Sequence, residues 1–344
     1  MKLLQFGTSS PHGRSRHLGA LVEGSADDGV IVDLSAAGRV VLARDGVSAA
    51  GLRALAPVLA PDTMLAFIQG GSHTRELAER GVEAVTVEGV EHDAFGAPTR
   101  YETADIVVLP AITEPPMLRD FMAFEKHLIN VFPRLGREIP EEWYRRPVYY
   151  KANTAAIGAH RQDIAFPAYA DRLDLEFEFA AILAADATDV SEDEAGRLVF
   201  GYTVYDDFSA RAVQALEMTV GLGPAKGKDF HAAHVLGPVV VTADEVRDPY
   251  ELAMTATVNG QTWTEGTSAD MHWRFEQMIA YASQGEPLRA GEVFGSGTVG
   301  DGSGAEQDRW LESGDLVELT VEGIGTLRNR VVAGGEGKPP AQRR

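Results

Sequence analysis

Apolar positions along the chain change their period several times, and those changes mark out the elements. From residue 1 to 45, short runs (KLLQFG, HLGALVEG, GVIVDLS and RVVLARDG) alternate and are parted by turn residues, the pattern of strands. Between 46 and 95 the spacing lengthens to that of helices, most clearly in SAAGLRALAPVLA and SHTRELAERG. After Gly81, VEAVTVEGV returns to a strand pattern, and ADIVVLPAITEPP closes on Pro115 and Pro116 as a linker would. This places a domain boundary near residue 112. MLRDFMAFEKHLINVFPRLG, from Met117, carries the apolar stripe of an amphipathic helix, which would bear both Asp120 and His127 and act partly as a lid.

Beyond that helix the chain is strand-rich. RPVYYKANTAAIGAH, LDLEFEFAAILA, LVFGYTVYDDFS, HVLGPVVVTADEV, YELAMTATVNGQTW and DLVELTVEGIGTLRNRVV are rich in β-branched and aromatic residues, whereas ARAVQALEM and MHWRFEQMIAYASQ read as helices. The expected fold class is α+β. A small α+β domain spans 1–112, a β-dominated domain that is no βαβ repeat spans 113–334, and a flexible tail spans 335–344.

One strand raises a chemical problem. LEFEF, residues 175–179, puts Glu176 and Glu178 on one face and Leu175, Phe177 and Phe179 on the other. Two like charges side by side are costly to bury. Asp206 and Asp207 end another apolar strand, and Asp120 stands near the start of the 117–136 helix. Carboxylates converging from such elements make an oxygen-rich cage for Mg²⁺, Mn²⁺ or Ca²⁺. The plain alternative is an edge strand whose polar face meets water.

Composition narrows the partners. The 344 residues hold 31 basic and 51 acidic side chains, a formal charge of −20 that disfavours nucleic acid and anionic membrane surfaces. With no cysteine there is no disulfide, thiolate nucleophile or Cys-based zinc site. No apolar run approaches a membrane span, and MKLLQFGTSS lacks the apolar core of a signal peptide, so a cytoplasmic location is expected. GLGPAKGKD misses the P-loop offsets and has Asp229 where Ser or Thr should stand. The HAAH pair, His231 and His234, lacks a third ligand and reads as loop or surface.

LEFEF, YDDFSARAVQ, GKDF, VLGPVVVTADEV and GSGTVG, taken in that order over roughly residues 117–332, resemble the fumarylacetoacetate hydrolase superfamily. The resemblance implies a mixed-sheet roll as catalytic domain, and the N-terminal part is similar to the shorter α+β regions of bacterial members. It also implies a divalent metal, most simply Mg²⁺, held by Glu176, Glu178 and Asp207 with Asp120 as fourth ligand. His127, oriented by Glu306 of GSGAEQ, would activate water. Arg211, Gln214 and Lys228 would stabilise developing oxygen charge, Thr298 would bind a substrate carboxylate, and Tyr150 would be an active-site tyrosine. Met218 departs from the pattern, standing where the fumarylacetoacetate enzymes have a tyrosine. The implied activity is hydrolysis of a carbon–carbon bond in a small β-diketo acid, acylpyruvate or fumarylacetoacetate-like, by a homodimer. Decarboxylation of a 2-oxo acid or keto–enol isomerisation could use the same metal site, and a non-catalytic metal-dependent binding protein is the reading from another class.

Overall fold

The computed structural model describes residues 1–10 and 13–334, so the tail 335–344 lies outside the described residues. Its frame is a mixed 12-stranded sheet. The main path runs from Arg100–Glu102 through Gly29–Asp33, Gly13–Gly24 and Lys2–Ser10 to His234–Thr242. It continues through Val199–Asp207, Phe177–Leu183, Val293–Gly295 and Leu118–Phe121 to Tyr149–Ala152. Lys2 and Leu3 pair with Val241 and Val240, so the N-terminal and C-terminal parts share one continuous sheet.

The alternation in LEFEF explains the layers. Leu175, Phe177 and Phe179 are fully buried in the larger core, which fills the space towards a second, 5-stranded sheet containing Ala253–Val258 and Leu316–Val321. Ala180 and Ile182 point to the opposite core, covered by Met64, Phe67 and Ala78 of N-terminal helices. Each such fully buried large side chain contributes about 1.5–3 kcal/mol. The expected α+β, strand-rich architecture is borne out.

Three local expectations are corrected. RVVLARDG is not a strand: Asp33 accepts hydrogen bonds from the Ser35 and Ala36 amides and caps a helix, Leu34–Arg44. VEAVTVEGV does not open one either, because the helix Gly71–Thr86 takes its first five residues, with Ala84 and Val85 buried. Gly81 allows that helix to approach the first one, since a Cβ there would lie 2.9 Å from the Ala37 Cβ. In both cases packing outweighed β propensity. The third correction touches the site. Leu118–Phe121 is a strand, parallel to Val293–Gly295, and the helix is only Glu125–Val131. Asp120 is therefore fixed in the sheet, while His127 rides on the helix.

Candidate metal centre

Three neighbouring stretches of the sheet each bring one acid to the same face. Glu178 sits opposite Tyr205, two residues before Asp207, and Asp120 pairs with Gly295 of the strand between. Ligand oxygens of Asp120, Glu178 and Asp207 lie within 4.8 Å of one another. All three residues are buried. Two of the other oxygens are held in place: Glu178 Oε2 accepts from the Gly297 amide at 2.8 Å, and Asp207 Oδ2 from the Tyr150 hydroxyl at 2.6 Å. Asp120 Oδ1 and Glu178 Oε1 have no partner. Asp207 Oδ1 has none in hydrogen-bond geometry, although His234 Nδ1 stands 2.8 Å away.

Electrostatics sharpen the picture. Burial first, then repulsion by Asp207, pushes the Asp120 carboxyl well above the usual range, and burial with repulsion by Asp120 does the same to Glu178. Burial also acts on Asp207, but Lys228 and His234 outweigh it and hold that carboxyl well below its ordinary value. Orphaned, mutually repelling oxygens on fixed strands suit a hard divalent cation, whose charge removes the repulsion. Gly295 keeps the space open: a Cβ there would lie 2.7 Å from Asp120 Oδ1 and 3.1 Å from Glu178 Oε2. These residues fit the metal.

Glu176 stands apart from this trio. Its Oε1 lies 2.6 Å from Arg211 Nη2, and its Oε2 accepts from Lys228. Lys228, 1% exposed, also donates to Asp207 Oδ2 at 2.5 Å and to the Asp207 carbonyl at 3.2 Å. Arg211 opens the helix Arg211–Met218, where it donates from Nε to Asp174 at 2.7 Å and from Nη1 to Gln214 at 2.9 Å.

His127 is brought to Glu306 across the sequence. Its Nδ1 is 2.8 Å from Glu306 Oε1, whose carboxylate also accepts from Asn130, the Asp301 amide and Ser303. So many donors fix the carboxylate, and it in turn fixes the imidazole. His127, Thr298, Tyr150, Gln214 and Lys228 line one cavity of about 250 Å³ with Asp120, Glu176 and Glu178.

The profile of the fumarylacetoacetate (FAA) hydrolase C-terminal family matches residues 117–332. The chain belongs to that family. Among family relatives, the oxaloacetate tautomerase YisK of Bacillus subtilis (strain 168) is 27% identical over 266 residues, 76% of this chain and 82% of its own. An uncharacterised protein of Archaeoglobus fulgidus is 31% identical over 220 residues, 63% of this chain and 81% of its own. The fold is also that of maleylpyruvate hydrolase from Sphingobium sp. SYK-6, solved with manganese(II) and pyruvate, at TM-score 0.67 and 20% identity over 97% of this chain and 100% of that one. Fumarylacetoacetate hydrolase from Exiguobacterium antarcticum superimposes with TM-score 0.66 at 23% identity, covering 97% and 99%. The names of these similar proteins and of a further structure of the same fold are those of hydrolases, an isomerase and a tautomerase.

Several residues here escaped the sequence reading. Asp174 is fully buried, takes Arg211, and accepts from the Gly304 and Ala305 amides at the start of the turn that bears Glu306. Its signal was available, two positions before Glu176 on the same alternation. His234 corrects the surface reading of HAAH: it is fully buried at the head of a strand, beside Asp207, while His231 is exposed. Asn130 and Gly295 carried no legible signal.

Proposed function

We propose that the protein is a metal-dependent hydrolase that cleaves a carbon–carbon bond of a small β-diketo acid such as an acylpyruvate. The observation that carries this reading is the His127–Glu306 pair at 2.8 Å, with His127 lining the same cavity as Asp120 and Glu178. Asp120, Glu178 and Asp207 would hold the divalent cation, Mg²⁺ by ligand type, and Glu176 orders Lys228 and Arg211 beside it. Such a cation polarises the oxygens of an oxo acid and offsets enolate charge.

The chain's own groups do the rest. With Nδ1–H donated to Glu306, His127 keeps Nε2 as a base and takes a proton from water. The water oxygen bonds to the distal carbonyl carbon, and the bond from that carbon to the central carbon breaks with its electron pair. His127 returns the proton to the central carbon, giving a carboxylic acid and pyruvate. Lys228 and Arg211 keep the field positive where oxygen charge grows.

A second reading is supported by the likeness to the oxaloacetate tautomerase. There His127 would move a proton on and off carbon, and no water would attack. His127→Asn separates the two readings when acylpyruvate cleavage and keto–enol exchange are followed together. Cleavage should fall by roughly 10²–10⁴. A wild-type enzyme that interconverts oxaloacetate tautomers and cleaves no acylpyruvate would establish the second reading.

We further infer a homodimer. Leu216, Val220 and Leu222 are 72, 75 and 90% exposed in one short segment, apolar surface of the kind that partners cover. Light scattering should give twice the 37.0 kDa chain mass.

A further inference from the structure

His127 stands where the helix Glu125–Val131 holds it, and seven residues form too short a helix to persist alone. Of these seven, His127 and Leu128 are buried. Packing therefore secures one side of the helix and leaves the rest to polar ties. Its leading end is fastened by backbone. Phe124 bridges to Met271, and the Ala123 carbonyl accepts from the His272 amide at 2.8 Å. Its trailing end leads into the turn Pro133–Leu135, whose three residues are all exposed.

Asn130 is the tie near that trailing end. Its Nδ2 donates to Glu306 Oε2 at 2.7 Å and to Asp301 Oδ1 at 2.9 Å, which uses both amide hydrogens. The other oxygen, Asp301 Oδ2, meets Lys126 Nζ at 2.6 Å, from one turn earlier on the same helix. Lys126 and Asp301 are 51 and 41% exposed, so their ion pair alone contributes little. The Lys126 stem lies against Gly300, where a Cβ would come within 2.5 Å of its Cδ.

Asp301 also holds the other member of the pair. Its amide donates to Glu306 Oε2 at 2.7 Å. Its carbonyl accepts from Thr264 Oγ1 at 2.7 Å and from Gln307 Nε2 at 3.0 Å, which anchors the turn. These bonds are made from left-handed backbone, with φ at +64°, between Gly300 and Gly302. Glycine adopts such backbone at the least steric cost, and aspartate is one of the few other residues that tolerate it. What the carboxylate adds at this position is its hold on the helix.

We infer that Asp301 is a positioning residue that sets His127 against Glu306, holding the helix with its carboxylate and the Glu306 carboxylate with its amide. The inference rests on the preceding section's reading of His127 as the base, in hydrolysis or in tautomerisation. Asp301 does not line the cavity, so it acts through the pair.

The test is Asp301→Gly in the full chain with Mg²⁺, which removes the carboxylate, keeps both backbone bonds and suits the left-handed turn. Acetylpyruvate cleavage, oxaloacetate tautomerisation and, without substrate, backbone amide exchange are followed. For whichever reaction the wild type catalyses, kcat should fall at least about tenfold, since misplacing a reacting group by about 1 Å can cost about 10²-fold. KM and Mg²⁺ affinity should stay within about twofold, because the change acts on the proton-transfer step. The amides of residues 128–131 should exchange faster. Asp301→Asn keeps an acceptor for Asn130 and should recover most of kcat. Asn130→Ala cuts the tie from the helix side and should repeat the loss, and it carries the test if Asp301→Gly fails to fold. Wild-type kcat in these variants overturns the inference, as does a loss of kcat matched by an equal loss of metal affinity. If the wild type turns over neither compound, the oxo-acid reading falls. Faster exchange then still sustains Asp301 as the tie, and unchanged exchange overturns it.

Discussion

Arg119 and Asp120 are consecutive, both at least 96% buried, and point to opposite faces of the same strand. Arg119 has a partner at each end: Glu292 at 2.9 Å, Glu286 at 2.9 Å and the Tyr149 hydroxyl at 3.2 Å. Asp120 meets two further acids, and its Oδ1 has no partner. The first arrangement is complete as it stands, and its purpose is structural. The second is electrostatically incomplete, and only a cation completes it. Burial alone does not mark a functional charge. Several uncompensated carboxylates converging on one point do.

The contrast can be broken most violently on the structural side. Arg119→Met leaves Glu292 buried without its cation and should cost about 3–5 kcal/mol in denaturant unfolding. Any folded fraction should still bind metal with wild-type affinity, because the trio lies on the other face. A loss of metal affinity without a loss of stability would mean that the two faces are not independent.

Gly295→Ala makes a smaller change on the functional face. Its Cβ would enter at 2.7 Å from Asp120 Oδ1, displacing the oxygen the cation needs. Metal affinity should drop by about tenfold or more, since ligand position is what the sheet supplies. Thermal stability without metal should change less than in Arg119→Met. Unaltered affinity by titration would show that the trio can relax around a methyl group.

The smallest expected effect is a pH dependence within the Arg119 cluster. Hydrogen bonds from Lys151 and Arg119 hold Glu286 below its usual 4.5, down to about 2. A carboxylate lowered in the folded state stabilises above its unfolded value and loses that contribution as pH falls through the folded one. Stability should therefore decline between about pH 4.5 and 2, and Glu286→Gln should flatten that part of the curve. An identical acid limb in the variant would remove Glu286 from the account.

The sequence disclosed the strand-rich α+β class because alternation survives wherever one face is buried, as in LEFEF. It misplaced MLRDFMAFEKH because a short apolar run fits two periods, and only pairing with Val293–Gly295 decides between them. The acids were legible as types. Their partners were not: Glu176 looks like the twin of Glu178, yet Arg211 and Lys228 reach it from 35 and 52 residues downstream, and Lys228 reaches Asp207 as well. No local pattern announces such long-range contacts. His234 was lost for the same reason, since a histidine in HAAH looks exposed until the strand it begins is placed beside Asp207.

The central claim is that Asp120, Glu178 and Asp207 form the metal site. The direct measurement is calorimetric titration of Mg²⁺ and Mn²⁺ into the wild type and Glu178→Gln, which removes one charge and almost nothing else. Wild type should bind one ion per chain, and Glu178→Gln should bind at least about 100-fold more weakly, since a lost ligand costs more than the 10–100-fold of a lost outer contact. Wild-type affinity and stoichiometry in Glu178→Gln would contradict the account.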